Sequence, residues 1–222
     1  MPVPARPQRW AIIRSTMGLY SRLVLPHVID LVCGMENHAR QRARLVPAAE
    51  GRVLEIGSGS GHNFGHYRTE RIRHLWALDP AEAMHRLARP RAAGLGFPVE
   101  FLAAPAEAIP LERASADTVL VTYSLCSVAE PLAALAEVRR VLKPGGTLLF
   151  CEHGAAPDQS VRRWQQRLNP AWRRLGGGCH LDRDVPALLR AAGFSAREMQ
   201  VGYLSGLRFA SFNYLGSARP LP

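Results

Sequence analysis

The clearest indication of a ligand-binding site in the sequence is a glycine-rich loop at the end of an apolar run. Residues 53–56 are predicted to form a buried strand, and Gly57, Gly59 and Gly61 follow it. Because glycine has no Cβ, such a loop can turn sharply and let a ligand approach the backbone, and the first N–H groups of a following helix would face that ligand. This arrangement suits the charged amino-acid end of a small molecule.

A carboxyl group at the end of the next predicted strand indicates a nucleoside. Asp79 lies 18 positions after Gly61, where an acidic side chain can accept hydrogen bonds from both ribose hydroxyls. Dinucleotide-binding loops of the pattern G-x-G-x-x-G are the rival interpretation, but His62 stands where their third glycine would fall. Glu55 also precedes the loop, where its charge suits an amino-acid group better than a pyrophosphate.

Side chains just beyond the predicted fourth and fifth strands are candidates for the reaction itself. Tyr123, Ser124 and Cys126 follow the fourth strand, and His153 follows the fifth. Open α/β sheets bind ligands at the carboxyl ends of their strands, so these residues should line the path from a cofactor to an acceptor. We predict His153 as the base or the group that stabilises the nucleophile, with Tyr123 as the second catalytic candidate. The alternatives are a core position for Tyr123 and a loop hydrogen bond for His153.

Two tryptophans are candidates for an acceptor pocket. Trp164 and Trp172 lie eight positions apart in a predicted helix, close to one face, and could wall an apolar cavity. Aromatic residues at such a spacing are also common in a plain hydrophobic core.

The four cysteines are far apart in the sequence. Cys33, Cys126, Cys151 and Cys179 form no C-x-x-C pair and no His/Cys cluster at metal-ligand spacing. We therefore predict no metal site and reduced thiols, which fit a cytoplasmic protein. Cys179 stands in a glycine-rich stretch and is expected to be an inert loop residue.

The composition limits the partners. The chain has 222 residues and a net charge of +10, and this length suits one α/β domain. Lys143 is the only lysine, so the charge is mostly scattered arginine, which indicates a compositional bias. No basic run with interleaved aromatics marks a nucleic-acid surface, and we predict no nucleic-acid partner. Residues 10–35 are apolar but carry charges, so we expect at most a peripheral contact with an anionic membrane surface.

Alternating strand and helix patterns predict an α/β, Rossmann-like fold. Its doubly wound, mostly parallel seven-stranded sheet should have an antiparallel last strand. The predicted strands cover residues 52–56, 74–79, 99–103, 118–123, 147–152, 194–201 and 209–215. The predicted helices cover residues 81–89, 131–142, 161–175 and 184–192. The domain spans residues 46–222, after an N-terminal helical arm over residues 1–45.

The arm is predicted to contain two amphipathic helices. The first has an apolar face made by Trp10, Ile13, Met17, Tyr20 and Val24. Pro26 should break it, and the second should turn Val28, Leu31, Val32 and Met35 inward. The arm could pack on the core, close over the cofactor as a lid, or contact a membrane surface.

Five segments resemble the class I S-adenosylmethionine-dependent methyltransferases that act on small molecules. They are Glu55–Gly61, Asp79–Pro80, Ala106–Pro110, Ala116–Val119 and Leu142–Gly146. The resemblance implies S-adenosylmethionine as cofactor, with its methionine part on the glycine loop, its ribose on Asp79 and its adenine against Met84. The predicted cofactor contacts are then Glu55, Gly57, Ser58, Gly59, Gly61, Asn63, Asp79, Pro80, Met84, Ala106, Glu107, Tyr123 and Ser124.

A second set of segments resembles a narrower group, the membrane-associated methyltransferase-like proteins of animals that methylate alkyl thiols, and their bacterial relatives. These segments are Asn63–Phe64, Leu125–Val128, Glu152–His153, Trp164–Gln166, Asn169–Trp172 and Gly178–Leu181. The resemblance implies a thiol acceptor, with His153 stabilising its thiolate. The predicted acceptor contacts are Cys126, His153, Trp164 and Trp172.

Methyl transfer to a small, apolar thiol is therefore the predicted function. The nucleophile must lie in line with the sulfonium carbon, about 3–3.5 Å away, and a thiol is already partly ionised near neutral pH. N- or O-methylation of a lipid headgroup, a quinone or another metabolite is the alternative. A non-catalytic binding module is a third interpretation, suggested by the charge alone.

Overall fold

Seven strands form one sheet in the order β3-β2-β1-β4-β5-β7-β6. The computed structural model describes residues 24–221. The strands are β1 Gly51–Ile56, β2 Ile72–Leu78, β3 Val99–Leu102, β4 Ala116–Thr122, β5 Leu142–His153, β6 Phe194–Tyr203 and β7 Phe212–Pro220. The first five pair in parallel, whereas β7 runs antiparallel to both β5 and β6. This sheet confirms the predicted mostly parallel Rossmann-like fold.

The central strands are apolar because both faces of the sheet are covered. Successive residues of β1 and β4 alternate between two hydrophobic clusters, one on each face, as the two-residue period of a strand requires. Leu54 and Val119 belong to one cluster, and Val53 and Leu120 to the other. This buried centre fixes where the carboxyl ends of β1, β4 and β5 lie.

Helices cover the two faces. They are α1 Leu25–Cys33, α2 Glu36–Leu45, α3 Glu82–Ala92, α4 Pro131–Val141, α5 Gln159–Leu175, α6 Val185–Ala191 and α7 Arg208–Ser211. Pro131 stands in the first turn of α4, where a missing N–H does no harm. Asp184 caps α6 by accepting a hydrogen bond from the Ala187 N–H at 2.9 Å. No helix within residues 24–221 combines the length and apolar character needed to cross a bilayer.

The predicted inward face of the second arm helix is wrong. Val28, Leu31 and Val32 of α1 are exposed, Leu31 by 75%, and Met35 beyond it is exposed too. Asp30 instead faces the glycine loop, and at 100° per residue Val28 and Val32 must then point away. Pro26 lies in the first turn of α1, where a proline is tolerated. The first arm helix, Trp10 to Val24, falls almost wholly outside the described residues.

The helix expected after the glycine loop is also absent from the described chain. Only two 3₁₀ turns, Phe64–His66 and Thr69–Arg71, separate the loop from β2. The reason is length: the ten residues 62–71 would span about 15 Å as an α-helix, whereas the chain must return past a strand of about 20 Å. The ligand-facing N–H groups therefore belong to a loop, not to a helix terminus.

Candidate active site

The glycine loop has the backbone conformation that its sequence predicts. Gly57, Gly59 and Gly61 have φ angles of 63°, 54° and 84°, a region that side chains rarely tolerate. A Cβ on Gly57 would lie 2.1 Å from the Ser124 Oγ, and one on Gly61 would lie 2.7 Å from the Phe64 ring. Glycine is therefore required at 57 and 61 by conformation and by space.

The buried carboxyl group of Glu55 holds two side chains beside the glycine loop by hydrogen bonds. This carboxyl group is 1% exposed and accepts hydrogen bonds from the Asn63 Nδ2 at 3.0 Å and the Tyr67 hydroxyl at 2.6 Å. Burial raises the pKa of Glu55 to about 7, although both hydrogen bonds oppose the rise. Among the described residues, the buried Oδ1 of Asn63 and Oγ of Ser58 have no partner. These two polar atoms are therefore free for a ligand of the loop.

Asp79 lies across the loop from Glu55. Its Oδ2 accepts the Gly59 N–H at 3.1 Å and its Oδ1 the Ala81 N–H at 2.8 Å, so the carboxyl group is fixed beside the loop. Burial raises the pKa of Asp79. Met84 is buried next to Gly59, with its Cε 3.4 Å from where a Cβ would stand. This places a carboxyl group and an apolar side chain together at the end of β2.

Two further predicted cofactor contacts, Ala106 and Glu107, lie beyond β3, whereas Pro80 directly follows Asp79 after β2. Ala106 is buried, Glu107 accepts the Glu130 N–H at 3.1 Å, and Pro80 is exposed. Glu107 therefore ties its own loop to the start of α4, at the edge of the sheet.

A third buried carboxyl group, Glu152, holds the loop after β4. It accepts the N–H groups of Ser124 at 2.7 Å, Leu125 at 3.0 Å and Cys126 at 3.4 Å. Burial raises the pKa of Glu152 to about 8. This role of Glu152 was not predicted from the sequence, although an acidic residue at the end of an apolar strand was a usable signal.

Arg183 holds the carbonyl groups of the same loop. Its guanidinium donates to the carbonyls of Leu125 and, at 2.6 Å, Val128. Burial lowers the pKa of Arg183. Glu152 thus accepts hydrogen bonds from the N–H groups of this loop, and Arg183 donates hydrogen bonds to its carbonyl groups. Together they fix the loop that carries Ser124 and Cys126. Sequence reasoning missed Arg183, because it lies 55 residues or more from its partners.

Cys126, His153 and Cys179 converge at the carboxyl ends of β4 and β5. The His153 Nε2 lies 3.1 Å from the Cys179 Sγ, and the three ligating atoms lie within 4.8 Å of one another. The sequence has no His/Cys cluster at metal-ligand spacing, but the fold brings one histidine and two cysteines together, so Cys179 is not an isolated loop residue. The spacing along the chain did not indicate the cluster, because Cys126 and Cys179 lie in separate loops and His153 ends β5.

The loop after α5 carries Cys179 into this cluster. The His180 N–H donates to the Cys126 carbonyl at 2.8 Å, and the Trp172 Nε1 donates to the Cys179 Sγ at 3.4 Å. Trp172 thus lies beside the cluster, whereas Trp164 is 55% exposed and lies against Arg167. Residues eight apart on a helix differ by about 80°, so the two tryptophans do not share a face.

Tyr123 lies between the cofactor loop and α2. Its φ is 53°, its ring meets the His38 ring edge-on at 4.6 Å, and the Arg42 guanidinium lies 5.4 Å from its centroid. The hydroxyl is buried without a hydrogen-bond partner among the described residues. Burial raises the pKa of Tyr123, so the phenol stays protonated at neutral pH.

A large cleft at the opposite edge of the sheet does not belong to this site. It encloses about 540 Å³ and is lined by residues that include Asp117, Lys143 and Gly146. These residues stand at the amino ends of β4 and β5, whereas open α/β sheets bind ligands at the carboxyl ends. The site is therefore the edge that carries the glycine loop.

Comparisons with known proteins agree with this geometry. A family model described as a methyltransferase domain matches residues 54–150. Thiol S-methyltransferase TMT1B of Homo sapiens is 40% identical over 158 residues, covering 68% of this chain and 64% of that protein. A demethylmenaquinone methyltransferase of Clavibacter sepedonicus is 36% identical over 119 residues, covering 54% and 48%. The chain thus spans less than two thirds of the length of these relatives.

Solved structures share the fold. A crystal structure of a methyltransferase from Bacillus halodurans has a TM-score of 0.61 and 18% identity, and the likeness covers 81% of this chain and 94% of that one. The glycine cradle and the unpartnered atoms of Ser58 and Asn63 fit an amino-acid group, and Asp79 fits a ribose. Residues 54–150 thus match a methyltransferase domain, the fold is shared with a solved methyltransferase structure, and the geometry of the site fits S-adenosylmethionine as the cofactor.

Proposed function

We propose that this protein transfers a methyl group from S-adenosylmethionine to the sulfur of a small, apolar thiol. The observation that carries the proposal is the position of His153, whose Nε2 already lies 3.1 Å from a sulfur atom at the carboxyl edge of the sheet. The name of the 40% identical human relative, a thiol S-methyltransferase, supports the same acceptor.

The cofactor would lie across the carboxyl ends of β1 and β2. The loop from Gly57 to Gly61, with the free atoms of Ser58 and Asn63, would hold its amino-acid end, while Glu55 keeps Asn63 in place. Asp79 would accept the ribose hydroxyls. Met84, Ala106 and Glu107 would then surround the adenine, with Pro80 beside the ribose, and Tyr123 and Ser124 would close the side toward the acceptor.

When bound, the cofactor supplies an electrophilic methyl group on a sulfonium. The chain has to bring the acceptor sulfur in line and keep water out. Cys126 and Trp172 would wall the acceptor site, and a hydrogen bond from His153 would stabilise the thiolate. Glu152 and Arg183 fix the loop of Cys126 by its N–H and carbonyl groups, so the acceptor site is preorganised. Trp164 is too exposed to add to this wall as the structure stands.

A panel of acceptors tests the proposal. Purified protein is incubated with S-adenosylmethionine and with thiols, amines, phenols and quinols of similar size, and methylated products are identified by mass spectrometry. Methylation of the thiols supports the proposal. Turnover confined to nitrogen, oxygen or carbon acceptors overturns it and favours the second candidate, a quinone or lipid-headgroup methyltransferase, which the 36% identical demethylmenaquinone methyltransferase supports.

We infer a cytoplasmic protein that meets anionic membrane surfaces peripherally. Two features support this proposal. The net charge of +10 would attract the chain to such a surface, and α1 exposes the apolar side chains Val28, Leu31 and Val32. An apolar thiol would be concentrated at such a surface.

A further inference from the structure

We propose that Cys126, His153 and Cys179 form a three-ligand zinc site whose fourth position is open to the acceptor thiol. Nothing in the comparisons assigns a metal to this chain. The part that concerns the acceptor rests on the proposed function, whereas the metal site stands on its own geometry.

The spacing of the three atoms fits a single small ion. Zinc binds cysteine sulfur at about 2.3 Å and histidine nitrogen at about 2.0–2.1 Å, in a tetrahedron. Two such ligands are therefore roughly 3.4–3.8 Å apart. The His153 Nε2 and Cys179 Sγ are 3.1 Å apart, and the three atoms all lie within 4.8 Å of one another. The distance from His153 to Cys179 would have to lengthen by about 0.5 Å and the longest of the three would have to shorten by at most about 1 Å to give the ligand distances.

The type of ligand points to zinc and to an open site. Two thiolates and one imidazole form a soft, nitrogen-containing donor set, which favours zinc over magnesium or calcium. Structural zinc sites have four protein ligands, whereas a set of three leaves a position for water or substrate. Among the described residues, no further His, Cys, Asp or Glu joins the three.

The two loops that carry the cysteines are fixed before any ion binds. Glu152 accepts the Cys126 N–H at 3.4 Å, the Cys126 carbonyl accepts the His180 N–H at 2.8 Å, and Trp172 donates to the Cys179 sulfur. The imidazole lacks one usual support, because its buried Nδ1 has no partner in the described chain. Such partners strengthen metal affinity about 10- to 100-fold, so we expect zinc that a strong chelator removes.

A bound zinc ion would convert the acceptor thiol into a thiolate, which is the nucleophile of the reaction. A thiol that binds in the fourth position loses its proton to solvent and stays as a zinc-bound thiolate. Its sulfur lone pair forms the new bond to the methyl carbon, and the bond from that carbon to the sulfonium breaks, leaving its electron pair on the sulfur of S-adenosylhomocysteine. The neutral thioether is a weak ligand and leaves. With zinc bound, His153 acts as a ligand rather than as a hydrogen-bond donor to the thiolate.

Metal content tests the site without any methyl transfer. The full chain is loaded with zinc, passed through a desalting column and analysed by mass spectrometry of the metal, and cobalt(II) loading is followed by its thiolate charge-transfer absorption. We expect about one zinc per chain and a cobalt–thiolate band. Cys179→Ser should weaken zinc binding more than tenfold, whereas Cys33→Ser, which removes a thiol outside the cluster, should bind zinc as the unmodified chain does.

The outcomes separate this proposal from the proposed function. Less than a tenth of an equivalent of zinc and no cobalt band in the unmodified chain overturn the metal site, whether or not Cys179→Ser folds. Equal zinc binding by Cys179→Ser and the unmodified chain also overturns it. If adding 2-mercaptoethanol leaves the cobalt spectrum unchanged, the open fourth position is overturned but the metal site is not. Failure of the proposed function appears elsewhere, as an acceptor panel in which thiols stay unmethylated while zinc remains bound.

Discussion

Two buried carboxyl groups flank the cofactor loop, and their hydrogen bonds separate their roles. Glu55 accepts one hydrogen bond on each oxygen from side-chain donors, the Asn63 amide and the Tyr67 hydroxyl. Asp79 accepts one backbone N–H on each oxygen, and a carboxylate can accept about four hydrogen bonds in all. Asp79 is 9% exposed and Glu55 only 1%, so Asp79 can offer its remaining acceptor capacity to a ligand, whereas Glu55 works through the side chains that it holds.

Asp79→Asn should weaken binding of S-adenosylmethionine at least tenfold. Hydrogen bonds to a charged group contribute about 1.5–3 kcal/mol each, and an amide replaces one acceptor oxygen by a donor. Calorimetric titration with S-adenosylhomocysteine measures the loss. Asp117→Asn makes the same change at the opposite edge of the sheet and should leave affinity within twofold. Equal affinity of Asp79→Asn and the unmodified chain would contradict the assignment of the ribose to Asp79.

Glu55 should make stability depend on pH. Its pKa rises from an ordinary 4.5 in the unfolded chain to about 7 in the fold, so the folded state binds more protons between these values. Stability is then complete below pH 4.5 and falls as pH rises through 7, by about 3 kcal/mol from this group. Urea unfolding without cofactor at pH 5 and pH 8 should show a smaller fall for Glu55→Gln. Equal falls for both proteins would remove Glu55 as the cause.

At the scale of elements, the geometry of the site depends on individual loops and turns. Gly57→Ala should destabilise the fold through both strain and contact. A left-handed conformation costs a non-glycine residue about 1–2 kcal/mol, and the added methyl group would also lie 2.1 Å from the Ser124 Oγ. Gly145→Ala supplies the control, since Gly145 has a φ of 80° but no atom within 4 Å of an added Cβ. Urea unfolding should show that Gly57→Ala costs at least 1 kcal/mol more, and equal losses would contradict the close approach.

Arg183→Lys should slow methyl transfer without weakening cofactor binding. Arg183 bonds two carbonyls of the loop after β4 with one planar fork, and lysine cannot reproduce that fork. The loop should then move Cys126 away from the acceptor site. We expect kcat to fall about tenfold while calorimetric affinity for S-adenosylhomocysteine stays within twofold. Arg197→Lys, at an exposed position, should change neither value. A weakened cofactor affinity with unchanged kcat would contradict this role for Arg183.

The elements differ in how far the sequence could predict them. The strands follow from apolar runs such as Val119–Val121, and Gly57 to Gly61 follow from glycine spacing, because these signals are local. The cluster of Cys126, His153 and Cys179 could not be predicted by spacing, since two loops and the end of β5 form it from residues 26 or more apart along the chain. The predicted orientation of α1 was wrong because Asp30, and not the apolar residues, determines which side of the helix faces the glycine loop.

At the scale of the whole molecule, charge and exposed apolar surface act together. The chain should float with vesicles that contain phosphatidylglycerol at low salt and stay behind with pure phosphatidylcholine, because a net charge of +10 is attracted to anionic lipid and salt screens that attraction. Leu31→Ser should at least halve the floated fraction, since Leu31 is 75% exposed on α1. Leu132→Ser alters an exposed leucine of α4 and should have no effect. A chain that ignores anionic vesicles at low salt, or two variants that behave alike, would leave the apolar face of α1 without a role at membranes.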